Sequence, residues 1–259
     1  MPDTKQSRKN SKTKIHKTTK TTKTTIHTKK LPIQKGIIEY EGRVLDINRD
    51  ELVQKIKLLG GTLKKHLLLF KRSVFNLCNS TNGYVRVRDE GDKITMTSKT
   101  YANPKYPLEN EIILADSFVN GQAFLRSLQL HDKAYHETMR ETWTIPKKNN
   151  SELCEIALDY IPGLPLYAEL ECKTERDLHK SIKLLGFNKN ELKYGAYGNI
   201  FTHYYDISIH NINNVIPSLT FNNIVNELKP YITKNQNLVN EVAKSHLIVY
   251  NQLNKKQHK

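Results

Sequence analysis

The sequence predicts an α+β chain built on a closed antiparallel β-barrel of about eight strands, with helices packed outside it and a helical extension at its C-terminus. Three observations point there. Strand-like segments follow one another without the regular strand–helix alternation of a doubly wound parallel sheet. Many of them carry charge on a single face, because side chains two residues apart share a face. Their other faces are apolar and suited to packing beneath helices, which turns the charged faces inward.

The elements follow in order. Residues 37–47 (IIEYEGRVLDI) alternate, with Glu39, Glu41 and Arg43 on one face. Residues 50–59 place Leu52, Val53, Ile56 and Leu59 at helical spacing; Asn48 or Asp50 can cap this helix and Gly60-Gly61 ends it. Strands are predicted at about 64–78, 83–90, 92–99 and 108–115, and Asp116 or Ser117 opens a second helix ending near Leu130. Further strands follow at 134–145, 151–160 and 165–173. Thr174 with Asp177 starts a helix that carries Leu178, Ile182 and Leu185 on one face and closes at Gly186. A short strand at about 199–208 comes next, then one or two helices over 215–254, interrupted near Pro230.

Charge divides the chain differently from its total. The net charge of +15 suggests a nucleic-acid-binding domain. However, residues 1–35 hold eleven Lys or Arg and one acid, Asp3, and three more lysines lie in the last five residues, so the body is close to neutral. Between residues 2 and 30 the Lys/Thr-rich tail has only Ile15 and Ile26 as large apolar groups, and it is expected to be disordered, a solubilising or weakly polyanion-binding arm or a localisation signal. The domain reading is therefore a tail over 1–35, a barrel domain over 36–208 and a helical extension over 209–259. No apolar run reaches the length of a membrane span, and the N-terminus lacks the apolar core of a signal peptide. Cys78, Cys154 and Cys172 show no metal spacing, and their odd number and separation argue against a disulfide framework. They read as small buried residues in a reducing compartment, the cytoplasm. No feature selects an oligomeric state. His66, His131, His136, His179 and His203 are scattered and read as surface or edge positions, and the Tyr residues as packing, with Tyr194, Tyr197, Tyr204 and Tyr205 clustered near one barrel mouth.

The strand charges carry the chemistry. Arg86 and Arg88 share a face, as do Thr97 and Lys99, Glu109 and Glu111, Glu155 and Asp159, Glu169 and Glu171, and Thr138, Arg140 and Thr142. A dry barrel could not hold so many charges. A wet one could, given a ligand of two signs: clustered carboxylates suit a hard divalent cation, and Arg and Lys suit a phosphate chain.

These residues resemble the CYTH domains, or triphosphate tunnel metalloenzymes, which include class IV adenylyl cyclases, thiamine triphosphatases, inorganic triphosphatases and some RNA triphosphatases. Glu39-Tyr40-Glu41-Gly42-Arg43 is similar to the family's Glu-x-Glu-x-Lys strand, and Arg86-Val87-Arg88 to its Arg-x-Arg. Met96-Thr97-Ser98-Lys99 is similar to Leu-Thr-x-Lys, and Glu109-Asn110-Glu111 to the Glu-x-Glu that follows. Asp159 and, after a short loop, Glu169-Leu170-Glu171 complete the series. The match spans about 36–208. It departs in Arg43 for Lys, in Thr138 where a Lys is frequent, and in Leu164-Pro165 where Leu-Gly is frequent.

The resemblance implies a tunnel that binds a triphosphate moiety with Mg²⁺ or Mn²⁺. It implies Glu39, Glu41, Glu169 and Glu171 as metal ligands, with Glu111 and Asp159 behind them. Arg86, Arg88, Lys99, Arg140 and Arg43 would hold phosphate oxygens. Hydrolysis of inorganic, nucleoside or thiamine triphosphate is the expected reaction, with Glu41, Glu171 and Arg43 as catalytic groups. Cyclisation of ATP to cyclic AMP is one alternative, and binding of polyphosphate or RNA 5′-triphosphate ends without turnover is another. The basic tail would add weak attraction to RNA.

Overall fold

A computed structural model describes residues 36–77, 80–101, 105–148 and 151–257. The expectations for the basic tail and for Cys78 lie outside the described residues. A nine-segment antiparallel sheet wraps almost fully around. Its segments are β1 (Ile37–Ile38), β2 (Tyr40–Val44), β3 (Thr62–Leu77), β4 (Ser80–Asp89), β5 (Ile94–Thr100), β6 (Leu108–Leu114), β7 (Asp132–Pro146), β8 (Glu152–Tyr160) and β9 (Tyr167–Cys172). Their order is β1-β6-β5-β4-β3-β7-β8-β9-β2. The ends of this path, β1 and β2, are consecutive in sequence and separated only by Glu39. One interrupted strand thus pairs with β6 on one side and β9 on the other, which places the barrel's seam at Glu39.

Helices cover the outside as the apolar periodicity requires. Helix α1 (Arg49–Leu58) is capped by Asn48, whose side chain accepts from the amides of Asp50 and Glu51, and it buries Leu52, Val53 and Ile56. Helix α2 (Phe118–Ser127) is capped by Ser117, and α3 (Glu175–Leu184) by Thr174, which accepts from the Asp177 amide at 3.0 Å. Leu178, Ile182 and Leu185 join Leu158, Ala168 and Leu170 of the sheet in one core.

Three local expectations are corrected. Residues 199–208 are not a strand: α4 spans Gly198–Tyr205. Their β-branched and aromatic content suggested extension, but Ile200, Phe201, Tyr204 and Tyr205 recur at helical spacing, and all four are buried together. Cys154 and Cys172 form a disulfide. They stand directly opposite each other in the β8–β9 register, with Cα atoms 4.5 Å apart, a proximity that a sequence separation of 18 does not reveal. His136 is buried, not at the surface, because β7 turns it inward.

The C-terminal part packs on the barrel rather than standing apart. A two-residue strand, β10 (Ser218–Leu219), pairs in parallel with β7, and helices α5 (Ile224–Leu228) and α6 (Gln236–Gln257) follow. Just before it, in α4, Tyr205 donates to the Gly163 carbonyl and Tyr204 donates to Asp46 at 2.6 Å, so that helix grips the loops at one barrel end. Among the described residues no helix is long and apolar enough to cross a membrane.

Candidate active site

The barrel encloses a cavity of about 980 Å³. Glu39, Glu41, Arg43, Arg86, Arg88, Lys99, Glu111, Arg140, Asp159, Glu169 and Glu171 all line it. The strand pattern brings them together because each sits on the inward parity of its strand. The sequence reading missed Lys64, Lys65, Arg72, Glu90 and Lys93, which also line it; Glu109 and Glu155, which it places on charged strand faces, line it too. Arg72 hides in the run Leu67–Val74, where Phe70 and Val74, apolar residues on its own parity, mask the alternation.

The carboxylates are unevenly compensated. Arg140 holds Asp159 with two prongs, Nε to Oδ1 at 2.6 Å and Nη2 to Oδ2 at 2.5 Å, and reaches Glu169 at 2.9 Å. Arg43 also pairs with Glu169, and lies 3.4 Å from Glu41. Burial raises the Glu169 carboxyl, but Arg43 and Arg140 outweigh it and hold it well below the usual range. Lys99 pairs with Glu109 and stands 3.7 Å from Glu41. Arg86 and Arg88 approach Glu111 at 3.7 Å, and Glu111 accepts from the Thr97 hydroxyl at 2.9 Å. Arg88 is crowded: burial and the neighbouring Arg86 push it down to about 10.

One wall is acidic. Glu155, Glu171 and Glu41 stand directly opposite one another across β8, β9 and β2. Like charges in that register repel. Burial, then Glu155, Glu169 and Glu41, raise the Glu171 carboxyl to about 7, and burial with Glu171 and Glu109 raises Glu39 to about 9. Glu155 meets Lys64, and Glu41 lies near Arg43 and Lys99, whereas Glu171 between them has no ion-pair partner among the described residues. Three carboxylates in a row have the donor chemistry of a hard divalent-cation site. Among the described residues, no three His, Cys, Asp or Glu side chains converge on one point as a ready cage.

No family model and no curated protein matches the chain. Solved structures do. A putative adenylate cyclase from Vibrio parahaemolyticus superposes with a TM-score of 0.54 at 12% identity, covering 65% of this chain and 99% of its own. The PH1012 protein from Pyrococcus horikoshii OT3 superposes at 0.52 with 17% identity, covering 62% of this chain and 98% of its own. This is the CYTH-like triphosphate tunnel fold. A conserved hypothetical protein from Pyrococcus furiosus shares the tunnel fold at a TM-score of 0.51 and 13% identity.

The two tunnel mouths differ. At one, Lys64, Lys65, Lys93, Glu90 and Glu155 line the cavity. At the other, Tyr197, Asn199, Ile209 and Asn213 enter from the chain that follows the barrel strands. Of the clustered tyrosines, Tyr197 alone lines the cavity; Tyr204 and Tyr205 are core residues and Tyr194 packs edge-on against Tyr106.

Proposed function

We propose that the chain is a divalent-metal-dependent hydrolase of a triphosphate moiety held inside the tunnel. One observation carries the reading: an acidic row, Glu155-Glu171-Glu41, and a basic set, Arg86, Arg88 and Lys99, line one cavity on different walls. A metal-bound triphosphate is a ligand of those two signs.

Glu39, Glu41 and Glu171, with Glu155 beside them, would hold Mg²⁺ or Mn²⁺. The ion would neutralise phosphate charge and lower the pKa of a bound water. Arg86, Arg88 and Lys99 bind and orient the phosphate oxygens and stabilise charge as the bond breaks, which is most of what phosphoryl transfer requires. Water attacks the terminal phosphorus, the bond to the bridging oxygen breaks, and orthophosphate leaves from the shortened chain. Glu41 or Glu171 takes the water's proton. Arg43 and Arg140 hold Glu169 and Asp159 and fix the acidic wall.

The test is a substrate panel of inorganic triphosphate, thiamine triphosphate, ATP, GTP and 5′-triphosphate RNA, each with Mg²⁺ and Mn²⁺. Orthophosphate release from at least one, abolished in Glu39→Gln/Glu41→Gln with the fold retained, is the expected result. Pyrophosphate and cyclic AMP from ATP would replace hydrolysis by cyclisation, and no turnover of any would refute an enzyme.

A further inference from the structure

Ten Lys or Arg side chains line the cavity among the described residues. Eight have a carboxylate within ion-pair distance: Arg43, Lys64, Lys65, Arg86, Arg88, Lys93, Lys99 and Arg140. Arg72 and Lys133 have none among the described residues. They belong to neighbouring strands, β3 and β7, and, after burial itself, their charges depress the protonation of His136.

Their surroundings leave hydrogen-bonding capacity open. Arg72 stacks on the Tyr197 ring, its guanidinium carbon 4.8 Å from the centroid, and its Nε has no partner among the described residues. His136 is 6% exposed, and its Nδ1 lies 2.7 Å from the Tyr197 hydroxyl, while its Nε2 has no partner among the described residues. The tautomer in which Nδ1 accepts the hydroxyl proton leaves Nε2–H as a donor. Arg72 also stands directly opposite Arg88 in the β3–β4 register, a like-charge pair in which Arg88 has Glu90 and Arg72 has no carboxylate among the described residues. Buried donors and cations left unpaired in this way are destabilising unless a ligand meets them.

We propose that Arg72, Lys133 and the His136 Nε2–H form an oxyanion subsite, at the Tyr197 end of the tunnel, that takes a phosphate group. It lies outside the ion-paired centre and continues the basic wall from Arg88 through Arg72 to Lys133. The occupant is either the further phosphate of a chain longer than a triphosphate or a free orthophosphate. The chemistry of recognition is the same for both. The subsite does not require the hydrolase reading.

The experiment is calorimetric titration of the full chain, without divalent metal, with orthophosphate, tripolyphosphate and a longer linear polyphosphate. The variants are Arg72→Gln/Lys133→Gln, Lys133→Gln alone, Arg72→Lys and Glu39→Gln/Glu41→Gln, each checked by circular dichroism. Arg72→Gln/Lys133→Gln is expected to lose at least tenfold in affinity for orthophosphate or for the longer chain, with Arg72→Lys retaining most of it. Loss of the wild-type preference for the longer chain over tripolyphosphate identifies the occupant as a further phosphate; loss for orthophosphate alone identifies a free oxyanion. Lys133 is half-buried and makes no side-chain ion pair among the described residues, so Lys133→Gln reads the subsite even where the Arg72 change disturbs folding. Unchanged affinities for all three probes in the folded Arg72→Gln/Lys133→Gln and Lys133→Gln variants overturn the proposal. Absence of turnover on every triphosphate, with metal-free phosphate binding still lost in Arg72→Gln/Lys133→Gln, refutes the hydrolase and leaves the subsite standing.

Discussion

Arg140 is the most exacting test of the tunnel's electrostatics. The sequence places it among phosphate ligands, whereas the structure commits its guanidinium to Asp159 and Glu169. Asp159 is 1% exposed, and Arg140 is its only ion-pair partner among the described residues. Glu169 would keep Arg43. Arg140→Met therefore strands one fully buried carboxylate, and breaking such a pair from one side destabilises by about 3–5 kcal/mol. Removing both charges in Arg140→Met/Asp159→Leu should recover most of that loss, because no buried charge remains unpaired. Urea unfolding followed by fluorescence reads this directly, since Trp143, the single tryptophan, is buried on β7 close in sequence to Arg140. A loss below about 1 kcal/mol in the single variant, or no recovery in the double, would refute a structural clamp at Arg140 and return it to the phosphate set.

Other consequences are equally concrete. His246 is buried against Tyr160 and Phe221 and is pushed down to about 4 by burial. Its folded value lies below the unfolded 6.5, so protonation favours the unfolded chain: stability is level above about pH 7 and falls between 6.5 and 4, by roughly 3 kcal/mol in all, and His246→Leu should remove this component from acid-unfolding curves. Gly163 has φ +77°, and a Cβ there would meet Ile224 Cγ1 at 2.9 Å, so Gly163→Ala should destabilise by about 1–2 kcal/mol and lower Tm by roughly 2–8 °C in calorimetry. A Tm unchanged by that substitution would mean that the Gly163 turn is not held by α5 and Tyr205. With one disulfide among three cysteines, denatured but unreduced protein should titrate one thiol per chain and three after reduction; three before reduction would refute the Cys154–Cys172 bond.

What the sequence revealed, and what it concealed, follows from the range of each signal. Inward charge at Glu39, Glu41 and Arg43, at Arg86 and Arg88 and at Glu169 and Glu171 is legible because strand parity is a two-residue property. The caps of α1 and α3 are legible for the same reason, since Asn48 and Thr174 act within three residues. Register between strands is not local. It decides that Cys154 meets Cys172, that Glu155 joins the row of Glu171 and Glu41, and that Arg72 faces Arg88. Helix α4 was misread because its residue types favour strands while its burial follows a helix.

The same distinction explains why the tunnel's design cannot be read from net charge. The cavity wall carries nine carboxylates and ten Lys or Arg, nearly balanced as a sum. Opposite charges touch around Arg43, Arg140 and Lys99, and again where Lys64 meets Glu155 and Arg88 meets Glu90. In strand register, however, like charges face each other, acids in the Glu155-Glu171-Glu41 row and cations at Arg72 and Arg88. Each such row is destabilising by itself, and protein groups alone could have relieved it by exchanging one sign for the other along the strand. Their separation onto different walls makes the tunnel complementary to something that is itself polarised, cationic where it meets β2, β8 and β9 and anionic where it meets β3 and β4. A neutral ligand would relieve neither row and a singly charged one only one of them, whereas a metal–phosphate complex relieves both. The arrangement of the rows, more than any one residue, is the argument for that ligand class.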